Sequence, residues 1–330
     1  MAPRIGTLWD SVGNTPLLRI GSLSRQTGCE ILAKAEFMNP GGSIKDRAAK
    51  GMIQRAEAQG LLAPGGAIFE GTAGNTGIGL GLLGRERGYR VVVTMPDNQA
   101  REKYELLEAM GVEVRKVPAV PFANPAHFFH QARVLAEAQG GFWANQFENP
   151  ANGDAHYETT GPEIWEQCEG RVDVLVASVG SGGTMSGVSR YLKEKNPAVR
   201  VVLVDPPGSG LFSFVREGRM EGTGASITEG IGIMRLTENF RRARVDEALR
   251  LGDQEMVEML YHLAREDALV VGTSAALNVR AAWEVARRHR GEGLRIVTFL
   301  CDHGSRYASK VFNPEFLASR QLQAKPLPVD

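Results

Sequence analysis

A lysine at the start of a predicted helix is the first side chain whose type and position could do chemistry. Lys45 follows a tight turn in residues 39–44, which contain one proline and two glycines, and it opens a helical pattern. A cation in the first helical turn opposes the helix dipole, so this position lowers the pKa of the lysine, and burial lowers it further. A lysine with a lowered pKa can act as a Schiff-base amine. Taken alone, the motif favours the alternative, a surface lysine paired with Asp46.

Two glycine-rich segments between a strand and a helix could hold anions. Residues 70–77 could bind a carboxylate through backbone N–H groups and threonine hydroxyls. Residues 178–184 suit a phosphate, although the Gly-Lys-Ser/Thr of a Walker loop is missing. A plain turn is the alternative in both places. A further segment, residues 271–276, contains Ser274, which could equally be a helix N-cap.

Three other patterns offer weaker support for chemistry. Residues 79–84 match GxGxxG, but they fall inside a probable helix, so a nicotinamide-binding oxidoreductase has little support. His127 and a histidine one turn later lack a carboxylate or cysteine to complete a metal set, and we expect no metal site. Cys301 has Asp302 and His303 beside it only in sequence, which is not what a catalytic dyad requires.

Short apolar runs alternate with helical patterns along the chain. The runs are continuous, which is typical of parallel strands covered on both faces. The predicted strands are residues 67–70, 90–96, 172–179, 200–204 and 294–300, and the predicted helices are residues 101–110, 127–139, 254–265 and 275–290. This order predicts an α/β protein with doubly wound, mostly parallel sheets.

The composition bounds the class of partner and the compartment. The 330 residues carry 38 basic and 38 acidic side chains, so the formal net charge is zero. A neutral chain gives no electrostatic reason to expect a nucleic-acid or membrane partner. Three scattered cysteines without a CxxC pair fit a reducing compartment. No apolar run approaches the roughly 18 residues of a membrane span, and no signal-peptide pattern opens the chain. We therefore expect a soluble, cytoplasmic protein.

The ordered set of motifs is far more specific than any single motif. The set comprises residues 13–17, 39–47, 72–77, 146–152, 158–165 and 180–184. From about residue 8 to about residue 310, the chain resembles the O-acetylserine sulfhydrylase (cysteine synthase) and cystathionine β-synthase family. The resemblance implies a fold type II pyridoxal-phosphate (PLP) enzyme, tryptophan synthase β-like, with two α/β domains. It implies a smaller domain of residues 39–151 with the carboxylate-binding loop, and a larger domain of residues 1–38 and 152–330 with the phosphate loop.

The resemblance also implies a role for each matching position. Lys45 matches the lysine that forms a Schiff base with PLP and later takes the α-proton of the substrate as general base. Asn75 matches the residue that hydrogen-bonds the ring oxygen of the cofactor, and Ser274 matches the serine that faces the pyridine nitrogen. The phosphate-binding positions are Gly180, Ser181, Gly182, Gly183 and Thr184. The substrate-binding positions are Thr72, Ala73, Asn75, Thr76 and Gln146.

The implied reaction is a β-replacement that converts O-acetyl-L-serine and sulfide into L-cysteine and acetate. A neutral serine hydroxyl at the ring nitrogen cannot hold the ring protonated as a carboxylate would, which favours β-elimination and replacement over transamination. Alternatives keep PLP and change the partners: serine with homocysteine, O-phosphoserine, or an amine nucleophile. A regulatory homologue without turnover is a further alternative, against which the intact Lys45 argues. The resemblance also implies a homodimer and raises a complex with serine acetyltransferase.

Two places depart from the family pattern. Ala73 stands where the family usually has a serine, so one hydroxyl donor is lost, worth about 0.5–1.5 kcal/mol in a typical hydrogen bond. Met234 and Arg235 extend the glycine-rich segment 228–233. Arg235 could meet an acidic group of the substrate, although a surface position is the favoured interpretation. We expect no haem segment and no regulatory domain beyond Asp330, which favours cysteine synthase over a regulated cystathionine β-synthase.

Overall fold

The computed structural model describes residues 6–72 and 74–327. Within these residues, ten strands form two separate sheets. The strands are β1 Leu17–Arg19, β2 Glu30–Lys34, β3 Ala67–Gly71, β4 Arg90–Pro96, β5 Glu113–Val117, β6 Phe142–Trp143, β7 Val174–Ser178, β8 Arg200–Asp205, β9 Glu247–Arg250 and β10 Arg295–Phe299.

Helices connect the strands and cover both sheets. They are α1 Gly21–Thr27, α2 Lys45–Ala58, α3 Asn75–Glu86, α4 Arg101–Ala109, α5 Phe128–Gln139, α6 Pro150–Ala155, α7 Gly161–Gln167, α8 Gly183–Lys195, α9 Leu211–Glu217, α10 Glu238–Arg241, α11 Asp253–Glu266, α12 Thr273–Arg288 and α13 Pro314–Ser319. A π-helix, His156–Thr160, joins α6 to α7. None of the described helices is both long and apolar enough to cross a membrane.

The two sheets are parallel except at one edge, which confirms the predicted α/β class with mostly parallel sheets. The larger sheet has the order β1-β2-β10-β7-β8-β9, and only the β1–β2 pair is antiparallel. The smaller sheet has the order β5-β4-β3-β6 and is parallel throughout. The strands of the smaller sheet all lie between residues 67 and 143.

Each sheet contains a point where the strand order reverses. In the larger sheet β7 has β8 on one side and β10 on the other, and in the smaller sheet β3 has β4 on one side and β6 on the other. Ligands of open α/β sheets bind outside the carboxyl ends of the strands at such a reversal. The segments that follow β3, β6, β7 and β10 are therefore expected to form the walls of a site.

Burial explains which elements the sequence could predict. The five predicted strands match β3, β4, β7, β8 and β10, whose residues are largely buried and therefore apolar. Strands β1, β2, β5, β6 and β9 were not predicted from the sequence. The exposed side chains of Arg115 and Lys116 interrupt the apolar pattern of β5, and β6 has only two residues. Such short or half-exposed strands carry too weak a signal to be read from sequence alone.

Candidate active site

One cavity of about 200 Å³ lies between the carboxyl ends of the two sheets. Its walls are the segments that follow β3, β6, β7 and β10, as the strand order predicts. The predicted site residues that line this cavity are Lys45, Thr72, Asn75, Thr76, Gln146, Gly180, Ser181, Gly182, Gly183, Thr184 and Ser274. Ala73 lies outside the described residues. The structure thus brings the predicted lysine and both predicted anion loops to one place.

Lys45 is the first residue of α2 and faces the cavity. The turn before it is fixed to the end of β10, because Ile44 N donates to Cys301 O at 2.8 Å and Ser43 pairs with Asp302 in an antiparallel bridge. Burial lowers the pKa of Lys45, and the nearby Cys301 and Asp302 oppose that shift. A lower pKa means that more of the amine is neutral near pH 7, which is the form that attacks carbonyls and accepts protons.

A buried ion-pair network anchors the helix that carries Lys45. Arg47 donates from Nε to Glu36 Oε2 at 2.8 Å and from Nη1 to Glu163 Oε1 at 2.7 Å. Lys34 Nζ also lies 2.7 Å from Glu163 Oε2. Burial would raise the pKa of Glu163, but hydrogen bonds and charges from Arg47 and Lys34 lower it to about 2. The network therefore joins residues 39–47 to residues 158–165, two of the motifs that the resemblance combined.

The segment that runs from the end of β7 into the first turn of α8 requires glycine at three positions. Gly182 has φ +91°, and a Cβ there would lie 2.6 Å from Phe240 N. A Cβ at Gly180 would overlap with Gly230 O, and one at Gly183 would overlap with Asn152 Oδ1. The loop leads directly into the N-terminus of the 13-residue α8, whose first N–H groups have no acceptor within the helix. Such an arrangement binds a dianionic phosphate well.

His156 supports the hydroxyl of Thr184 in this loop, a contact that the sequence analysis missed. Its Nε2 lies 3.2 Å from Thr184 Oγ1, and its Nδ1 lies 2.8 Å from Thr160 Oγ1. Burial holds the pKa of His156 well below its ordinary value, with Arg47 and Lys45 acting in the same direction. The ring is therefore neutral at physiological pH. His156 lies in a π-helix, and because π-helical bulges often occur at functional sites, this position is the structural signal of its role.

The loop after β3 and the residue after β6 form the opposite wall. Thr76 Oγ1 donates to Gln146 Oε1 at 2.7 Å, and Gln146 Nε2 donates to Glu70 Oε1 at 3.0 Å. Burial raises the pKa of Glu70 to about 8. Gly74 has φ +138°, and a Cβ there would lie 2.5 Å from Lys103 Cδ. This wall offers backbone N–H groups at the start of α3 together with hydroxyl and amide groups, which can bind a carboxylate.

Ser274 is the second residue of α12, and its side chain is almost fully buried at the cavity. The interpretation of Ser274 as a helix N-cap is wrong, because Gly272 occupies that position. At the start of α2 the N-cap is Ile44, and Ser43 Oγ accepts from Lys45 N at 3.3 Å. Ser274 therefore presents a neutral hydroxyl to the cavity rather than to the helix end.

A buried charge cluster also lines the cavity and was missed from sequence. Lys103 forms an ion pair with Glu229, and Lys310 Nζ lies 2.5 Å from Glu229 Oε1. Lys103 and Glu229 are both buried and belong to the cavity wall. Charged residues on α4 and on a loop have no local pattern that distinguishes them from solvated ones, so only the tertiary structure identifies them.

Arg235 takes neither of the positions expected for it. It forms an ion pair with Glu148, and its guanidinium carbon lies 4.5 Å, 4.9 Å and 5.0 Å from the ring centroids of Phe122, Phe129 and Phe147. It is mostly buried and is not among the residues that line the cavity. Cation–π contacts of this kind bind an arginine firmly when water is excluded. Arg235 therefore joins the segment 228–237 to the aromatic cluster beside the cavity.

These features fit a phosphorylated aldehyde such as PLP. The cavity offers an amine with a lowered pKa at Lys45, a glycine-only loop at the N-terminus of α8 and a neutral hydroxyl at Ser274. The buried hydroxyl of Ser178 also lines the cavity and has no hydrogen-bond partner within the described residues. Within those residues, no group of three or more His, Cys, Asp or Glu side chains could hold a metal ion.

Comparison with known proteins gives one consistent family. Residues 8–302 match the family described as pyridoxal-phosphate dependent enzyme. Cysteine synthase 1 of Neurospora crassa is 50% identical over 321 residues, covering 96% of this chain and 85% of that protein. Cysteine synthase of Dictyostelium discoideum is 48% identical over 330 residues, covering 96% of this chain and 87% of that protein.

Solved structures agree with the sequence relatives. The O-acetylserine dependent cystathionine β-synthase from Helicobacter pylori has a TM-score of 0.85 at 32% identity, covering 93% of this chain and 98% of that one. A hydrogen sulfide-producing enzyme from Fusobacterium nucleatum has a TM-score of 0.85 at 32% identity, covering 92% of this chain and 100% of that one. Because the family match spans most of the chain and the relatives match along nearly all of it, the chain belongs to the family of pyridoxal-phosphate-dependent enzymes.

Proposed function

We propose that this chain is a cysteine synthase, which replaces the acetoxy group of O-acetyl-L-serine by sulfide to give L-cysteine and acetate. The observation that carries the proposal is the convergence of three groups on one cavity: the Lys45 amine, the phosphate-type loop and the carboxylate-type loop. Relatives named as cysteine synthases, at up to 50% identity along almost the whole chain, support the same activity.

The residues of the cavity divide into those that hold the cofactor and those that hold the substrate. Lys45 would attach PLP, residues 180–184 would bind its phosphate, Asn75 would donate to its ring oxygen, and Ser274 would face its pyridine nitrogen. When bound, PLP withdraws electrons from the α-carbon of the amino acid and so weakens the α C–H bond. A neutral partner at Ser274 limits this withdrawal, which favours loss and replacement of a β-substituent over transamination.

The substrate carboxylate would lie against the wall after β3. Thr72, Asn75 and Thr76 would bind it, with Gln146 as the outer partner; position 73, also assigned to this loop, lies outside the described residues. The hydrogen bond from Thr76 Oγ1 to Gln146 Oε1 and the bond from Gln146 Nε2 to Glu70 keep the amide in a fixed orientation. Lys45 would take the α-proton and later return one, because burial lowers its pKa and leaves a neutral amine available.

The remaining assignments belong to the same proposal. We propose a smaller domain of residues 39–151 and a larger one of residues 1–38 and 152–330; residues 1–5, 73 and 328–330 lie outside the described structure. The division of strands between the sheets supports these bounds. We further propose a cytoplasmic homodimer that can bind serine acetyltransferase. A Saccharomyces cerevisiae relative is named a putative mitochondrial cysteine synthase, so localisation needs its own measurement, as does the mass in solution.

Acceptor kinetics separate cysteine synthase from the second candidate, a cystathionine β-synthase-type enzyme. That candidate is favoured by the Helicobacter pylori structure, whose protein is described as an O-acetylserine dependent cystathionine β-synthase. Purified protein would be assayed with O-acetylserine and either sulfide or homocysteine, and with serine or O-phosphoserine in place of O-acetylserine. We expect the highest kcat/KM for O-acetylserine with sulfide. A higher value for homocysteine or for another β-substituted serine would replace the proposal with the corresponding alternative.

A further inference from the structure

The side chain of Asn75 is held from both ends by a segment more than 200 residues away in the sequence. Its Oδ1 accepts a hydrogen bond from Arg306 Nη1 at 2.7 Å. Its Nδ2 donates to Asp302 Oδ2, also at 2.7 Å. Asp302 and Arg306 follow β10, whereas Asn75 is the first residue of α3 beside the smaller sheet. The contact therefore joins the carboxyl ends of the two sheets at the cavity.

These two partners fix the orientation of the Asn75 side-chain amide. A guanidinium only donates hydrogen bonds, and a carboxylate only accepts them. Arg306 therefore requires the oxygen of Asn75 on its side, and Asp302 requires the nitrogen on the other side. The amide nitrogen has two hydrogens, and Asp302 uses one of them. One N–H donor of Asn75 is left over, and Asn75 lines the cavity.

Asp302 is itself fixed in place. It is fully buried, and its Oδ2 also accepts from Tyr307 Oη at 2.7 Å. Its backbone pairs with Ser43 in the turn before Lys45. A Cβ at Gly272 would overlap with Asp302 Oδ1, so the carboxylate depends on a glycine at that position. Its Oδ1 has no partner within the described residues, so the two side-chain hydrogen bonds of Asp302, from Asn75 and from Tyr307, are both made by Oδ2.

Arg306 connects Asn75 to the turn that carries Lys45. Its Nη2 donates to Gly41 O, and a Cβ at Gly42 would lie 2.9 Å from the same nitrogen. One guanidinium thus binds the amide of Asn75 and the backbone four residues before Lys45. Because the guanidinium of an arginine is planar and rigid, its two contacts fix the position of the Asn75 amide relative to the backbone of Gly41.

We propose that Asp302 and Arg306 are positioning residues, which hold Asn75 so that its remaining N–H donor points at the ring oxygen of the cofactor. They also keep Asn75 at a fixed position relative to Lys45. The proposal rests on the proposed function through the assignment of Asn75. Neither residue is proposed to touch the cofactor; each acts through the amide of Asn75. The geometry explains why an asparagine, whose two ends could otherwise exchange, presents a single donor.

A double-mutant cycle on the holoenzyme tests the proposal. The variants are Arg306→Met, Asn75→Ala and the double variant, and the readouts are the dissociation constant of PLP and the absorbance maximum of bound PLP across a pH titration. Each single variant is expected to weaken PLP binding about tenfold or more and to shift the absorbance band, because hydrogen bonds that involve a charged group are stronger than those between neutral groups. In the Asn75→Ala background, Arg306→Met is expected to add less than about twofold.

The cycle distinguishes action through Asn75 from action through the Lys45 turn. If Arg306→Met weakens PLP binding by the same factor with and without Asn75, the arginine acts through Gly41 or on the fold, and the proposal is wrong. Asp302→Asn provides a second cycle should Arg306→Met not fold, because it keeps the volume and one acceptor for Asn75 and Tyr307. Asp302→Asn is expected to weaken PLP binding less than Arg306→Met does, and only when Asn75 is present. A loss of PLP affinity that persists in the Asn75→Ala background contradicts the proposal.

Two controls complete the experiment. Arg288→Met makes the same chemical change at an exposed arginine paired with Glu247, and is expected to leave PLP binding unchanged. The wild type separates this inference from the proposed function. A wild type that neither binds PLP nor turns over O-acetylserine contradicts the proposed function. A normal wild type together with an unaltered Arg306→Met variant contradicts only the positioning role.

Discussion

Lys45 has the most demanding role of any single side chain in the cavity, since its amine must be neutral to react and yet sit close to a buried carboxylate. Desolvation shifts its pKa downward, and Asp302 and Cys301 limit the shift. From sequence, its position after a proline–glycine turn was visible, but its burial was not. The surface-lysine alternative was therefore the favoured interpretation of the isolated motif, and the structure shows instead a lysine at the cavity.

Replacement of Lys45 by alanine is expected to remove turnover. Loss of a general acid–base group alone reduces rates by about 10²–10⁴-fold, and loss of the attachment point for PLP reduces them further. The measurement is kcat with O-acetylserine and sulfide in the presence of added PLP. Lys50→Ala is the matched control, because Lys50 lies on the same helix and donates to Trp9 O. Turnover by Lys45→Ala near the wild-type rate would overturn the assignment.

The neutral hydroxyl at position 274 is expected to decide the balance of reactions. In Ser274→Asp, a carboxylate at the cavity would favour a protonated pyridine ring and so a stronger electron sink. We expect a lower ratio of cysteine formed to side products such as pyruvate and transamination products. Ser274→Ala, which introduces no charge, should keep the ratio closer to that of the wild type. An unchanged product ratio in Ser274→Asp would show that Ser274 does not face the ring nitrogen.

At the scale of elements, the site depends on where strands end and helices begin. α2, α3, α8 and α12 each start at the cavity, so the residues of their first turns face it. The sequence predicts the boundary between strand and helix wherever the strand is buried and apolar, as at β3 and β7. The strand β6 and the π-helix were not predicted, because a two-residue strand and a histidine that bonds Thr184 have no local sequence signal. Gln146, which follows β6, was assigned to the site only through the family resemblance.

The start of α8 provides a test of the glycine loop. In Gly183→Ala the new methyl group would overlap with Asn152 Oδ1, so Asn152 or the helix must shift. Overpacking of this kind typically costs about 1–3 kcal/mol, and we expect lower stability to urea together with weaker PLP binding. Gly252→Ala is the control, since its Cβ would meet Glu255 only at an ordinary 3.5 Å. Normal PLP affinity in Gly183→Ala would argue against a phosphate at this loop.

At the scale of the whole molecule, two sheets with reversals in their strand order place distant segments at one cavity. The class of fold follows from continuous apolar strands alternating with helices, and it was predicted from sequence. The meeting of Asn75 with Asp302 and Arg306 was not, because 227 and 231 positions separate the partners and no local pattern relates them. The family resemblance assigned these motifs to one site, and the fold gives the physical reason why they lie together at one cavity.

Buried carboxyl groups make the stability of the molecule depend on pH. Burial raises the pKa of Asp46 from 3.8 to about 7. Between those values the folded state holds a proton that the unfolded state has lost, so this group stabilises the fold at low pH and loses that contribution as the pH rises to about 7. The slope is up to about 1.4 kcal/mol per pH unit for one group.

Asp46→Asn is expected to make the free energy of unfolding fall less steeply between pH 4 and pH 7. An asparagine can still accept the hydrogen bond that Gly41 N donates to Asp46 Oδ2 at 2.6 Å, but it cannot titrate. Urea unfolding at several pH values measures the slope, and Asp246→Asn, a surface carboxylate paired with Lys193, is the control. The same slope in Asp46→Asn and in the wild type would contradict the assigned shift.

The proposed cysteine synthase activity can be tested with one measurement, the absorbance spectrum of the purified protein with PLP before and after addition of O-acetylserine and then sulfide. A cofactor attached at Lys45 gives a visible band, and we predict that O-acetylserine shifts this band and that sulfide restores it as cysteine is released. A band that does not respond to O-acetylserine would contradict the proposed substrate while leaving the cofactor in place. The absence of any visible band after incubation with PLP would contradict the assignment of the cavity itself.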